Sequence, residues 1–429
     1  MSQDNFPPEP LSGFRVVEMT IAVQGPAAGA YLADMGAEVI KVEPPLGDAS
    51  RYGRGRNNHL PEETIGPQYV AVNRGKRSVC MDVRTDLGQK ALHGLLSSAD
   101  VYLTNYREPA LGLLGLDYHS LAPRYPNLIY ASVNGFGPNG PDADKAMLDG
   151  AAVARGGILA ATGDPRGEHS LPGAIIADTT GAMQLALGVV TALLARERGA
   201  PGQRVQTSGL GSQLWLGQWE LTHVSMTGED LSRRSNHHPN IRGPYGVYRT
   251  SDDGAILLAT TMQLDNWDAF CTFADIPELA IDPRLQTPGQ RLGEGLTDSD
   301  SDEFQARMAW AFAQKTAMQW DDFLRTQPEI IWERVRSWSQ VLEDPQNIAN
   351  SYVTEVNIPG LGQRKTVGNL IHLSETPGSV KGDPPDLGEA NADFLKEMLS
   401  DAEIAEVDAH AEQERQAALL ALLAAQGDS

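Results

Sequence analysis

Cysteine is almost missing from this chain. Cys80 and Cys271 are the only two in 429 residues and stand in unrelated contexts, which excludes a disulfide framework and the paired spacing of a zinc site. A reducing cytoplasm is the expected compartment. Basic residues are also in deficit, 34 against 56 acidic ones, for a net charge of -22. Such a chain repels a phosphate backbone, so nucleic acid is not an expected partner, and any anionic ligand must be met by a local basic pocket. No run of residues is read as long enough to span a bilayer, and the polar arm MSQDNFPPEPLSG lacks the apolar stretch of a signal peptide. The expectation is a soluble protein with no membrane partner.

Several catalytic signatures are absent too. There is no G-x-S-x-G elbow, no H-E-x-x-H and no Walker loop, and the nine histidines show no pairing pattern. His237 and His238 are adjacent, but neighbours on a strand point to opposite faces. No metal site is expected.

What is present is the composition of a globular protein, 41% apolar, 21% charged and 6% aromatic, with length for more than one domain. After the arm, FRVVEMT reads as a buried strand, GPAAGAYLADMGA as a small-residue helix and AEVIKVEPP as a second strand closed by prolines. The alternation recurs through RSVCMDV, the amphipathic TDLGQKALHGLLSSA, ADVYLTNY and NLIYASVNGFG. It predicts an α/β fold with a parallel, doubly wound sheet. ADTTGAMQLALGVVTALLARERG, apolar on nearly every side, predicts a helix buried deep in the molecule. Near Gly243 the pattern changes: PYGVYRTSDDGAILLATT reads as two strands around an Asp253-Gly254 turn. The expected organisation is 11–227 as the first part of a large domain, 228–340 as a small α+β domain, and 341–429 as a return to the large domain with a helical tail.

Three places could carry chemistry. The first βα junction, from Ala22 and Val23 through Gln24, Gly25 and Pro26, offers free backbone N–H groups at a helix start, suited to phosphate or to close strand–helix packing. It is not G-x-G-x-x-G, so a nicotinamide site is not supported. Basic residues collect in Arg74-Gly75-Lys76-Arg77, at Arg107 after Asn105-Tyr106, and at Lys145, either as anion ligands or as solvated surface charge. Asp178 follows Ala174-Ile175-Ile176-Ala177 and opens the long apolar helix. Its carboxylate suits an N-cap, and the positive helix end would also keep it ionised as a nucleophile.

The ordered stretches LSGFRVVEMT, GPAAGAYLADMGAEVIKVEPPLGDASR, NRGKRSVCMDV, ADVYLTNYREPALGLLGLDY, PNLIYASVNGFGPNGP and ADTTGAMQLALGVVTALLARERGAPGQRVQTS resemble the family III coenzyme A transferases over about residues 11 to 390. The resemblance implies a large Rossmann-like domain built from both chain ends, a smaller inserted α+β domain and an interlocked homodimer. It implies transfer of CoA from an acyl-CoA to a free carboxylic acid, with CoA as co-substrate and no further cofactor. Asp178 would be the nucleophile. Backbone N–H groups at Gln24 and Gly25 would hold the oxyanions, and Ala22, Val23, Arg77, Asn105, Tyr106, Arg107 and Lys145 would bind CoA.

Two departures bear on specificity. Asn240-Ile241-Arg242-Gly243-Pro244-Tyr245 replaces the glycine-rich loop of the formyl-CoA transferases. Leu148-Asp149 stands where the related racemases carry a His-Asp pair. The alternatives are an acyl-CoA racemase or isomerase, and a CoA-thioester-binding homologue without turnover.

Overall fold

The computed structural model describes residues 9–259 and 264–427. Most of the N-terminal arm, and Thr260 and Thr261 at the end of the expected hairpin, therefore lie outside the described residues. The chain divides into two compact units. One comprises the described residues up to Val153, Ala174–Trp215 and those from Leu342 onward; the other comprises Ala154–Gly173 and Leu216–Val341.

The first unit is built on six parallel strands: β1 (Arg15–Met19), β2 (Glu38–Glu43), β3 (Arg77–Cys80), β4 (Val101–Thr104), β5 (Ile129–Asn134) and β6 (Arg204–Ser208). Their order is β3-β2-β1-β4-β5-β6. Strands covered on both faces must be apolar throughout rather than alternating, and VYLT of β4 is buried at every position. The order reverses between β1 and β4, and in open α/β sheets the crevice outside the strand ends at such a switch point is where ligands bind.

Three helices matter for the site: α1 (Gln24–Asp34), α2 (Asp86–Ser97) and α3 (Ala177–Glu197). Small residues let α1 lie close to the sheet. A Cβ on Gly25 would stand 2.6 Å from Thr20 Cγ2, and one on Gly29 would collide with the Glu18 carboxylate. One apolar layer packs α2 and the C-terminal segment against one face of the sheet; the other packs α1 and α3 against the opposite face.

The deep burial expected for α3 holds for one face only. Ala182, Leu185, Val189 and Leu193 face the core, whereas Met183, Leu187, Val190 and Leu194 are 53%, 67%, 41% and 56% exposed. The helix is also long and apolar enough to cross a membrane by length and composition, which corrects the reading that no stretch qualifies. Its packed face is that of a core helix.

Beneath the β1–α1 junction lies a cluster of charges. Lys41 donates to the Thr20 carbonyl at 3.0 Å and pairs with Glu18 and Asp48, each at 3.3 Å; Lys76 pairs with Glu18 at 2.7 Å and donates to the Pro26 carbonyl at 2.8 Å. Beside it, Arg51 bonds Glu43 and Tyr69, and Ser78 donates to Glu43 at 2.7 Å. Burying such charges costs several kcal/mol per ion unless each is paired.

The outer edge of β3 is closed by residues from near the C-terminus. The Cys80 amide donates to Asn391 Oδ1 at 2.8 Å, Asn391 Nδ2 donates back to the Cys80 carbonyl at 3.1 Å, and the Ala390 amide donates to the Ser78 carbonyl at 2.9 Å. This segment does the work of a seventh strand.

In the second unit, β7 (Gly246–Arg249), β8 (Ala255–Leu258) and β9 (Trp332–Arg334) form an antiparallel sheet. An aromatic core that includes Trp267, Phe270, Phe312 and Trp320 packs against it.

Candidate active site

At the switch point a cavity of about 670 Å³ opens within the first unit. The end of β1 and start of α1 supply Ala22, Val23 and Gln24; the end of β4 supplies Asn105, Tyr106 and Arg107; Lys145 and Asp178 join them. Eight residues that lie up to 156 positions apart in sequence are thus brought to one surface. Gly25 is not among the lining residues, and its missing side chain lets the helix start pack closely against Thr20 and Asn105.

Arg77 is not brought in. It opens β3 at the N-terminal end of the strand, and its guanidinium bonds Glu389 at 3.0 Å and Asp393 at 2.6 Å. A parallel strand binds ligands at its C-terminal end, so the basic cluster precedes the strand on the wrong side. Lys76 from the same cluster is consumed by Glu18.

Asn105 is present but differently used. Its Oδ1 accepts from the Ile21 amide at 2.9 Å and its Nδ2 donates to the Ile21 carbonyl at 2.8 Å. Next in the loop, Ala22 takes a positive φ of 65°, a conformation that costs a non-glycine residue of the order of 1 kcal/mol. The Asn105 clamp and a 3.4 Å bond from the Ala22 amide to Asp48 hold it there.

Asp178 lies in the first turn of α3, half-buried. Its carboxyl is pushed up to about 6, first by burial and then by the negative charge of Asp149. The cap of α3 is not Asp178: Asp149 Oδ1 accepts the amides of Ala177 at 2.6 Å and of Asp178 at 3.1 Å. Thr179 is spent on the Ile175 carbonyl at 2.6 Å, and Thr180 likewise bonds the Ile176 carbonyl.

Across from this turn, the side-chain amide of Gln24 lies against Gly181, where an added Cβ would collide with its Nε2, and beside Gly209. Gln24 Nε2 is buried and has no hydrogen-bond partner among the described residues. An unpaired buried donor costs about 1–3 kcal/mol, and the residue that carries it lines the same cavity as the Asp178 carboxylate.

Sequence reasoning did not single out Met147, Asp144, Glu108, Arg204 or Gln206, which also line the cavity. Arg204 is held by Glu108 at 2.9 Å and lies over the rings of Tyr118 and Tyr130. With Arg107 and Lys145 it gives the wall three cations in an acidic chain. A smaller cavity of about 200 Å³ adjoins at Tyr106, lined by the ends of β2 and β3 with Asp82 and Arg84. Among the described residues, no histidine lines the larger cavity.

Residues 11–391 match the sequence profile of CoA-transferase family III. The chain belongs to that family. Among its relatives in CoA-transferase family III, the succinyl-CoA–D-citramalate CoA-transferase of Chloroflexus aurantiacus is 33% identical over 400 residues, covering 92% of this chain and 95% of the relative. The cinnamoyl-CoA:phenyllactate CoA-transferase of Clostridium sporogenes is 30% identical over 411 residues, covering 93% and 96%. The crystal structure of a CaiB/BaiF family protein from Brucella suis superposes with a TM-score of 0.77 at 28% identity, covering 91% of this chain and 100% of the other. The protein is thus a family III CoA-transferase in fold and class, with a large α/β unit that draws on the described residues up to Val153 and on those from Leu342 onward.

Proposed function

We propose that the enzyme moves CoA from an acyl-CoA to a free carboxylic acid through covalent intermediates on Asp178. The supporting observation is that one cavity is lined both by a half-buried carboxyl raised to about 6 and by Gln24, whose Nε2 has no partner among the described residues. At neutral pH that carboxyl is ionised yet more basic than an ordinary aspartate, which suits a nucleophile.

In this reading a carboxylate oxygen of Asp178 attacks the thioester carbonyl and expels CoA thiolate, leaving a mixed anhydride. The thiolate then attacks the aspartyl carbonyl, releases the donor acid and forms an aspartyl-CoA thioester. The acceptor carboxylate attacks that thioester, and the thiolate returns to the acceptor carbonyl, regenerating Asp178. Gln24 Nε2 and the first-turn amides of α1 stabilise the oxyanions, which develop where a donor is already waiting. Tyr106, shared by both cavities, places the CoA nucleotide beside Arg107, Lys145 and Arg204, while Asn105 positions the loop.

The acids named for the two relatives, succinate and D-citramalate in one, cinnamate and phenyllactate in the other, mark the classes to screen. The exposed apolar face of α3 supports assembly as a homodimer, and two buried free cysteines suit a reducing cytoplasm. Racemisation through a His-Asp pair is disfavoured, because no histidine is among the described residues that line the cavity and removing an α-proton on one face and returning one on the other needs two placed bases. The test is incubation with acyl-CoA donors and mass spectrometry of the protein. A hydroxylamine-sensitive adduct of CoA mass on Asp178 is expected; turnover without it, or by Asp178→Asn, overturns the reading.

A further inference from the structure

We propose that Asp149 is the positioning residue of the nucleophile: its carboxylate closes the N-terminus of α3 in place of Asp178, leaves the Asp178 oxygens free, and holds a second negative charge behind them. The inference deepens the proposed role of Asp178 and rests on it for its catalytic meaning.

The geometry carries the argument. An aspartate in a first helical turn ordinarily lends its oxygens to the helix amides or shares them with a capping residue. Ile176, at the cap position of α3, makes no side-chain capping bond, and the Thr179 and Thr180 hydroxyls turn back to carbonyls. The acceptor comes from Asp149, which opens the short helix Asp149–Arg155 and takes the amides of Ala177 and Asp178 on one oxygen. One of these amides belongs to the nucleophile itself, so the bond fixes its backbone against the cavity wall.

The same carboxylate sets the charge around Asp178. The other charged groups of the wall are Arg107, Glu108, Asp144, Lys145 and Arg204, and Gln24 and Gln213 are the neutral polar side chains packed beside the turn. Asp149 is the charge that acts on Asp178, adding to burial in the same direction. A like charge disfavours ionisation and raises basicity. A carboxyl that is still ionised at neutral pH but more basic forms the anhydride more readily.

Two substitutions in the full-length enzyme separate the roles. Asp149→Asn keeps an oxygen for the two amides and removes the charge; Asp149→Ala removes both. The carboxyl titration of Asp178 is read by 13C NMR of aspartate-labelled protein, assigned as the resonance missing in Asp178→Asn, and needs no substrate. In Asp149→Asn the midpoint should fall by about one pH unit from the wild-type value, with the melting temperature unchanged. In Asp149→Ala the midpoint should fall as well, and the melting temperature by several degrees. With succinyl-CoA as the probe, the pH profile of adduct formation should shift with the titration in Asp149→Asn. An unmoved midpoint in Asp149→Asn overturns the proposal and leaves Asp149 a structural cap. A shifted midpoint in Asp149→Asn, together with a wild-type protein that forms no adduct, supports the positioning role and counts against Asp178 as the acyl-transfer nucleophile.

Discussion

Asn105 and Ile21 exchange two hydrogen bonds, one in each direction, across the point where the order of the sheet reverses. The clamp ties the end of β4 to the loop that leads from β1 into α1, whose Ala22 is held at positive φ.

Asn105→Ala should therefore do more than remove a polar side chain. Loss of two partly exposed bonds lowers stability by about 1–3 kcal/mol. Release of the loop should raise KM for the acyl-CoA more than it lowers kcat. Denaturant unfolding together with steady-state kinetics checks both, and a stability loss with KM unchanged would show that the clamp does not shape the cavity.

Asp178→Asn should fold as well as the wild type, because Asp149 supplies the cap of α3. The sign follows from linkage. A carboxyl raised from 3.8 to about 6 in the folded state binds its proton more tightly there than in the unfolded chain, so stability falls as pH rises from about 4 to 6 and the loss is complete above that. Removing it should leave the melting temperature equal or slightly higher at pH 7. A large fall would show that Asp178 has a structural task.

Gly181→Ala tests Gln24 from its neighbour. The new methyl would occupy the place of Gln24 Nε2 and push the amide out of position. Helix propensity gains about 1 kcal/mol in the exchange, so stability should hold while adduct formation slows roughly 100-fold or more. Stopped-flow mass spectrometry reads the rate; an unaffected rate would remove Gln24 from the site.

Glu43 makes the fold acid-sensitive. Burial opposes its ionisation, but the hydrogen bonds and charge of Arg51, with Lys41 and Ser78, outweigh it and hold the carboxyl down to about 2. A folded-state value below the unfolded one of about 4.5 gives stability that is full above pH 4.5 and lost as pH falls toward 2. The contribution is of the order of 3 kcal/mol. Glu43→Gln, which strands Arg51 in the interior, should cost about 3–5 kcal/mol at pH 7 and flatten the dependence between pH 5 and 3, measured by chemical denaturation.

The sheet was legible because strands buried on both faces read as apolar runs between turn signals, as in FRVVEMT and ADVYLTNY. β6 was not, since RVQTS lies at an edge and is half-buried over most of its length, leaving little pattern. The junction Ala22-Val23-Gln24, the Asn105-Tyr106-Arg107 end of β4, Lys145 and Asp178 were recognisable by their order and meet in one cavity. Arg77 failed because charge before a strand and charge after it look alike until the strand has a direction. The cap on Asp178 was out of reach for another reason: Asp149 is 28 and 29 residues from the amides it accepts, and no local rule links them. The one-sided burial of α3 is not legible in its sequence, because composition does not record which face the chain itself covers.

The closure of β3 by Asn391 gives the polypeptide a timetable. The edge strand emerges early in synthesis, but the side chain that completes its hydrogen bonds follows 311 residues later, roughly 15–60 s at ordinary translation rates. Until then β3 presents bare amides and carbonyls to any other nascent strand. Growing cells slowly or shifting them to low temperature lengthens that interval, and the yield of native enzyme becomes a matter of how long an unfinished sheet can wait.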